Sequence, residues 1–416
     1  MRKMIHGVLP VLTVAGLLVG CAHVQPDFIR VVDKGFVDEQ GQPFYPHGTN
    51  LGNWLNPEGY MFGLGGRASS ARTIDALFEQ GVGPFETREF WQAFKETYIT
   101  EADIEFIAST GANVVRLPFH YRLFTADDYL GESSVAEGFQ FMDRVIEWCR
   151  KANLRVILDM HDCPGGQTGD NIDDSAGYPW LFEDARAQAL FTDIWVQIAT
   201  RYRDEPVVFA YELMNEPIPH YMDNQADLKV RMVDLCEQVT KAIRTVDATH
   251  VILWPGANWN VDFSMWKGEP ADPQVAFTCH RYEFGAAPDK LPGILDFVAK
   301  RDYLHRPFIM GETGHNHYKW IGSMADQLKD ANIGLIAWPY KMMGGKGQSF
   351  VSFPQPEGWQ VVCDFAKTNC ITFAEIRAAR PDRKAFAEAM KAWLEAAKQA
   401  KPCDEYLKAM RFKTSR

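Results

Sequence analysis

The chain has no run of basic residues: acidic side chains outnumber basic ones, giving a formal charge of -11 over 416 residues. Nucleic acid is therefore excluded as an expected partner. No stretch rich in Pro, Gly or Ser divides the sequence, so one domain is expected rather than two. Only Val8 to Val19 forms a long apolar run, too brief to span a bilayer comfortably, and no transmembrane helix is expected. The cysteines have no zinc-like spacing, and neither His161-Asp162-Cys163 nor His315 with His317 matches a metal site. No metal and no cofactor are expected. No glycine-rich phosphate loop follows the first predicted strand, which argues against an open dinucleotide-binding sheet.

The first 20 residues read as a targeting segment, with Arg2 and Lys3 ahead of the apolar run. Its end, Leu18-Val19-Gly20-Cys21, resembles the lipobox of bacterial lipoproteins, which implies an exported chain lipidated at Cys21. With Ala22 next, the pattern points to the outer membrane, and Cys21 is the expected membrane contact. Residues 21–35 would be a tether, 36–400 the folded domain and 401–416 a charged tail, in a monomer. Of the eight cysteines, Cys21 is thus assigned and seven remain. Cys363 could bridge Cys370, with Cys403 competing, and the spacing leaves the pairing open. Cys149 and Cys236 fall in helical patterns, as buried thiols do.

What is present is an alternation of strand and helix. Val207 to Tyr211 is an almost unbroken apolar segment that runs into Asn215-Glu216-Pro217, as a strand buried on both faces would before reaching a polar exit. Similar strand cores recur at His47 to Asn50, Asn113 to Pro118, Arg155 to His161, Val208 to Glu216, His250 to Pro255, Val275 to Tyr282, Phe308 to Glu312 and Gly334 to Tyr340. Helical patterns fall between them, including Thr87 to Thr110, Ala185 to Tyr202 and Leu228 to Val246, and a last helix spans Phe373 to Lys398. Phe36 to Tyr45 reads as a hairpin lid. Eight such units predict an α/β fold, a closed (β/α)8 TIM barrel, with the chemistry at the strand exits.

The predicted exits carry Asn50 and Trp54, Arg116, His161, Asn215 with Glu216, Trp254, His280 with Tyr282, Glu312, and Trp338. Carboxylates at strands four and seven face each other across such a barrel. That placement suits glycoside hydrolysis, one carboxyl protonating the leaving oxygen while the other attacks the anomeric carbon. Arg116 and the Tyr282 phenol are the groups expected to keep Glu312 ionised by lowering its pKa. Burial and the charge of Glu312 would keep Glu216 protonated, with His280 tuning it. Asn215 is placed to bond a sugar 2-hydroxyl, and Trp338 to carry a sugar ring. Trp259 and Trp266 are expected to stack on sugar at the mouth. Glu58 reads equally well as a sugar ligand or a solvated loop residue.

Taken in order, His47-Gly48-Thr49-Asn50, Arg116-Leu117-Pro118, Asn215-Glu216-Pro217, His280-Arg281-Tyr282, Gly311-Glu312-Thr313 and Trp338 resemble glycoside hydrolase family 5, from about Val37 to Tyr340. The resemblance implies a retaining enzyme with Glu216 as acid/base and Glu312 as nucleophile. Arg116, His161, Asn215, His280, Tyr282 and Trp338 would support them. Asn50-Leu51-Gly52-Asn53-Trp54-Leu55 and His161-Asp162-Cys163-Pro164-Gly165-Gly166-Gln167 resemble the exo-β-1,3-glucanase branch, although Asn53 stands where that pattern has a second Gly. The expectation is an exo-acting β-glycosidase on β-glucan or its oligosaccharides. An endo-acting β-1,4-glucanase or β-mannanase, and a surface glycan-binding lipoprotein without turnover, are the alternatives.

Overall fold

The computed structural model describes residues 28–131, 134–285, 293–344 and 347–414. The lipobox and Cys21 lie outside the described residues. Eight parallel strands close into a barrel: β4 (His47–Asn50), β5 (Val114–His120), β6 (Arg155–Asp162), β7 (Val208–Glu212), β8 (Val251–Pro255), β9 (Val275–His280), β10 (Phe308–Glu312) and β11 (Gly334–Ala337). Neighbours in sequence are neighbours in the sheet, and β11 pairs with β4 to complete the ring. The expected (β/α)8 barrel is the observed fold.

Side chains alternate along each strand, so residues two apart share the lumen face. At the closed end the lumen is apolar, with Val114, Ile157, Ala210, Ala276, Ile309 and Ile336 in one buried cluster. Two residues further along, the same faces carry Arg116, Asp159, Glu212 and Thr278, all fully buried. Two more bring β6 to His161 and β9 to His280, at the open end. The change from apolar to polar along one face is what puts the chemistry at the mouth.

The expected hairpin is a three-stranded antiparallel sheet of β1 (Arg30–Val32), β2 (Gly35–Val37) and β3 (Pro43–Phe44). Val31 and Phe36 plug the bottom of the barrel, where the Phe36 ring meets Phe209 edge-on at 5.2 Å. The supposed tether is therefore part of the fold from Phe28 onward. The stretch Thr87 to Thr110, whose spacing fits one helix or two, is two, Pro84–Thr97 and Glu101–Ser109, and a further helix at Ala71–Val82 had gone unpredicted. The final helix breaks into Phe373–Ala379 and Arg383–Lys398 around Pro381, whose ring cannot continue the first one.

Residues 401–414 are not a charged tail. Lys401–Pro402 pairs with the strand Val351–Phe353, and the helix Asp404–Ala409 follows. Tyr406, Leu407, Met410 and Phe412 are buried, and Phe412 stacks on His47 at 3.8 Å. Its apolar residues recur at helical spacing, which its charges obscured. The seven described cysteines are all free thiols, so Cys363, Cys370 and Cys403 form no bridge. Among the described residues no helix is long and apolar enough to cross a membrane.

Candidate active site

Arg116 is the centre of the site. Its side chain is fully buried, and it donates Nη1 to Glu312 Oε1 at 2.7 Å and to Asn50 Oδ1 at 2.8 Å. Nη2 donates to Asn215 Oδ1 at 2.8 Å and Glu212 Oε1 at 2.9 Å, and Nε to Glu212 Oε2 at 2.7 Å. Asp159 Oδ2 lies 3.0 Å from Nη2. One guanidinium thus holds carboxylates from three strands, a planar fork that Lys could not reproduce.

Asp159 and Glu212 went unnoticed in the sequence, although the period of two points to both: Asp159 lies two residues before His161 and Glu212 four before Glu216. Asp159 Oδ2 is 2.7 Å from His161 Nδ1, and His161 Nε2 is 3.2 Å from the Asn215 amide nitrogen. Burial lowers His161 to about 4, so it stands as a neutral ring. The Asn215 amide is thereby held at both ends, by Arg116 and by His161, with one N–H left over. Asn50 acts likewise as a brace, donating its amide to the Gly311 carbonyl at 2.9 Å.

Glu216 leaves β7 in the left-handed region with φ of 45°, and Ile218 repeats this at 54°. Such backbone is costly for residues with side chains and persists where the surroundings impose it. Gln167 imposes it in part, donating its amide to the carbonyls of His161 and Asn215 at 2.8 Å each, while the Thr168 hydroxyl donates to the Glu216 carbonyl at 2.9 Å.

Glu216 and Glu312 meet around His280. The ring Nδ1 is 2.7 Å from Glu216 Oε1 and 3.7 Å from Glu312 Oε2, and the Tyr282 hydroxyl donates to Glu312 Oε2 at 3.0 Å. At Gly311 an added Cβ would lie 2.5 Å from Thr278 Oγ1 and 3.0 Å from His280 Nε2, so only Gly lets β10 bulge here and deliver Glu312. Burial raises Glu216 well above the ordinary carboxyl range, and the charges of Glu312 and Glu58 push the same way. Glu312 was expected below that range. Burial instead raises it, against the pull of Arg116. The order of the pair is as expected, because Arg116 bonds Glu312 and not Glu216. Burial also holds His280 well below the imidazole range, so it is neutral.

Glu216, Glu312, His280 and Tyr282 line a cavity of about 580 Å³ together with Trp338, Tyr60, Glu58, Asn171, Ile172, Trp259, Val261 and Phe284. Trp338 lies parallel to His161 with centroids 5.5 Å apart and donates its indole N–H to Tyr60 at 2.6 Å. A Cβ on Gly52 would press into the Trp338 ring at 2.7 Å, which is why the loop after β4 needs Gly there. Glu58 is 5% exposed, which excludes the solvated reading. Tyr60, Asn171, Phe284 and His315 also line the cavity and had no signal beyond their place after predicted strands.

Three of the expected site residues, Trp54, Trp254 and Trp266, are elsewhere. Trp54 is fully buried, donates Nε1 to the Lys95 carbonyl at 2.8 Å and packs edge-on against Phe141. Trp254 stacks on Trp266 at 4.5 Å and donates to Thr240 at 2.9 Å, beside a separate cavity of about 630 Å³. Both, like Trp266, are packing residues: adjacent side chains on a strand exit point alternately into the mouth and under the helices. Among the described residues, two groups could ligate a metal, His120 with Asp162 and Asp174, and Glu216 with His280 and Glu312. In the first, His120 Nε2 bonds both carboxylates, which raise the ring to about 9 against burial, and Nδ1 meets the Arg122 backbone N–H at 3.1 Å, so both ring nitrogens are already engaged.

Known proteins share stretches of this sequence. A β-xylosidase of Phanerodontia chrysosporium is 31% identical over 269 residues, covering 63% of this chain and 54% of that protein. Endoglucanase C of Acetivibrio thermocellus is 40% identical over 165 residues, covering 40% of this chain and 44% of the relative. A probable glucan 1,3-beta-glucosidase A of Aspergillus fumigatus is 28% identical over 333 residues, with 76% and 74% covered. The matches thus span about half the length of the first two relatives and three quarters of the third. The description "Cellulase (glycosyl hydrolase family 5)" matches residues 77–344, more than half of the sequence, and the chain belongs to that family.

Proposed function

We propose that the protein is a retaining β-glycosidase that hydrolyses β-glucan or its oligosaccharides from one end, with Glu312 as nucleophile and Glu216 as acid/base. The observation that carries this reading is the approach of the two carboxylates: one oxygen of each, with a nitrogen of His280, lies within 4.8 Å of the others. That approach is nearer to the about 5 to 5.5 Å of retaining pairs than to the about 6.5 to 9.5 Å of inverting ones, and it supports the retaining reading. Glu312, fixed by Arg116 and Tyr282, attacks the anomeric carbon while Glu216 protonates the leaving oxygen. Water, activated by Glu216, then releases the sugar from Glu312. The spare amide hydrogen of Asn215 serves the 2-hydroxyl, and Trp338 carries the ring.

Support for action at a chain end comes from the wall formed by the loops after β4 and β6. Asn56 donates to the Ile172 carbonyl at 3.1 Å and Asn171 to Glu58 at 3.5 Å, so the two loops meet beside Trp338. Glu58 in that wall is a ligand for hydroxyls of a terminal sugar. An endo mode is favoured instead by the likeness to an endoglucanase, where the identity is higher though the overlap is shorter.

A product time course on laminari-, cello-, manno- and xylo-oligosaccharides, with Glu312→Gln as control, tests the reading. Early monosaccharide from one series, absent with the variant, is expected. Mixed oligomers would replace the exo mode by the endo mode, and binding without turnover would leave a glycan-binding protein. We place the chain at the outer membrane on the lipobox alone, and Cys21→Ser is expected to release it from the membrane fraction.

A further inference from the structure

Three successive residues after β8, Asn258, Trp259 and Asn260, have φ of 54°, 55° and 60°, a run of left-handed backbone made without glycine. Isolated residues visit this region; three together are strongly disfavoured by the contact of Cβ with the backbone. The turn is pinned at both ends. Asn258 donates its backbone N–H to the Ile218 carbonyl at 2.8 Å and accepts from Gln225, and the Ala257 N–H meets the Asp262 carbonyl at 2.8 Å. Strain held so firmly beside a reaction site calls for a purpose.

The turn delivers two side chains. Trp259 goes to the cavity wall, and Asn260 goes inward, fully buried, with its amide nitrogen 3.3 Å from His280 Nε2. The other face of that imidazole meets Glu216. A neutral imidazole has one donor and one acceptor. If Asn260 donates to Nε2, the proton of His280 must sit on Nδ1 and point at Glu216 Oε1.

We infer that Asn260 is a positioning residue that fixes the tautomer of His280 and thereby keeps the catalytic proton of Glu216 on Oε2. This rests on the reading of Glu216 as the acid. With Nδ1–H always directed at Oε1, that oxygen accepts whether Glu216 is protonated or ionised, and the acidic proton is confined to the other oxygen. In the opposite tautomer the Nδ1 lone pair would face Glu216 and accept a hydrogen bond from Oε1–H, turning the acidic proton toward the ring and away from the leaving oxygen. The remaining charged and titratable groups near the ring, Glu312, Arg116 and His161, act on its charge rather than on which nitrogen carries the proton.

The test uses kcat/KM for phenyl and 2,4-dinitrophenyl β-glucosides, since only the poor phenolic leaving group needs protonation. In Asn260→Ala and Asn260→Asp the ratio of phenyl to dinitrophenyl kcat/KM is expected to fall by about tenfold or more, a share of what general acid catalysis contributes. The Asp variant, an acceptor of the same shape, is also expected to move the His280 proton to Nε2, read from imidazole nitrogen chemical shifts. A merely structural role would lower both substrates together and leave the tautomer unchanged, which would overturn the inference. If the wild type hydrolyses aryl xylosides or mannosides but not glucosides, the sugar assignment fails alone and the same ratio decides the inference in that series. If it hydrolyses none of them, there is no acid to position and the inference falls.

Discussion

Asn53 accepts the backbone N–H of Glu58 at 3.1 Å while standing in the left-handed region with φ of 64°. Asn is the side chain that best tolerates that backbone apart from Gly, so the exchange preserves the turn and adds an amide that holds the cavity wall. Asn53→Gly is expected to keep the fold, lose about 1 kcal/mol of this bond and raise KM about fivefold with little change in kcat. Steady-state kinetics on the best oligosaccharide decide it; an unchanged KM would detach Glu58 from sugar binding.

The activity profile with pH is expected to be bell-shaped, since Glu216 must be protonated and Glu312 ionised. Because Glu216 is raised well above its ordinary value, the alkaline limb lies above the carboxyl range. The sign for stability follows. A carboxyl with a raised folded pKa contributes stability at low pH and loses it as pH rises through that folded value. Glu216→Gln is therefore expected to abolish turnover and to raise the urea midpoint relative to wild type progressively as pH increases. A difference that stays flat with pH would contradict it.

His120 offers the same sign with a defined window. Raised from 6.5 to about 9 by Asp162 and Asp174, its pairing stabilises the fold fully below 6.5 and loses that contribution as pH climbs to about 9. The span corresponds to about 3 kcal/mol. In His120→Asn the wild-type fall in unfolding free energy between these pH values should disappear. Because Asp174 also accepts the Arg72 backbone N–H, the loop it anchors is expected to loosen, which hydrogen exchange around residues 168–175 would report.

The barrel was legible because its strands are apolar on both faces: β4 and β10 have the predicted bounds, and the others differ by a few residues at their ends. That Glu216, Glu312, Arg116, His280 and Tyr282 would gather in one place was legible because motifs at strand exits are read in order. The errors have a common cause. Trp54 and Trp254 follow the same strands as true wall residues, and nothing in composition says which of two successive exit positions faces the mouth. Asp159 and Glu212 were hidden in strands that read as core, since a buried acid becomes intelligible only beside its cation. The C-terminal helix was hidden by its exposed lysines, and the free cysteines by a spacing that fits a bridge as well as none.

The plug formed by Val31 and Phe36 against Phe209 has a consequence for proton traffic. It makes the barrel a vessel with one opening, floored by hydrocarbon, so any proton that reaches Glu216, Glu312, Asp159 or Glu212 arrives by the route the sugar takes. Five buried carboxyl groups, Glu58, Asp159, Glu212, Glu216 and Glu312, lie above that floor. The medium reaches them through the mouth alone, so a change of pH is felt first by the residues at the rim and last by Asp159 and Glu212.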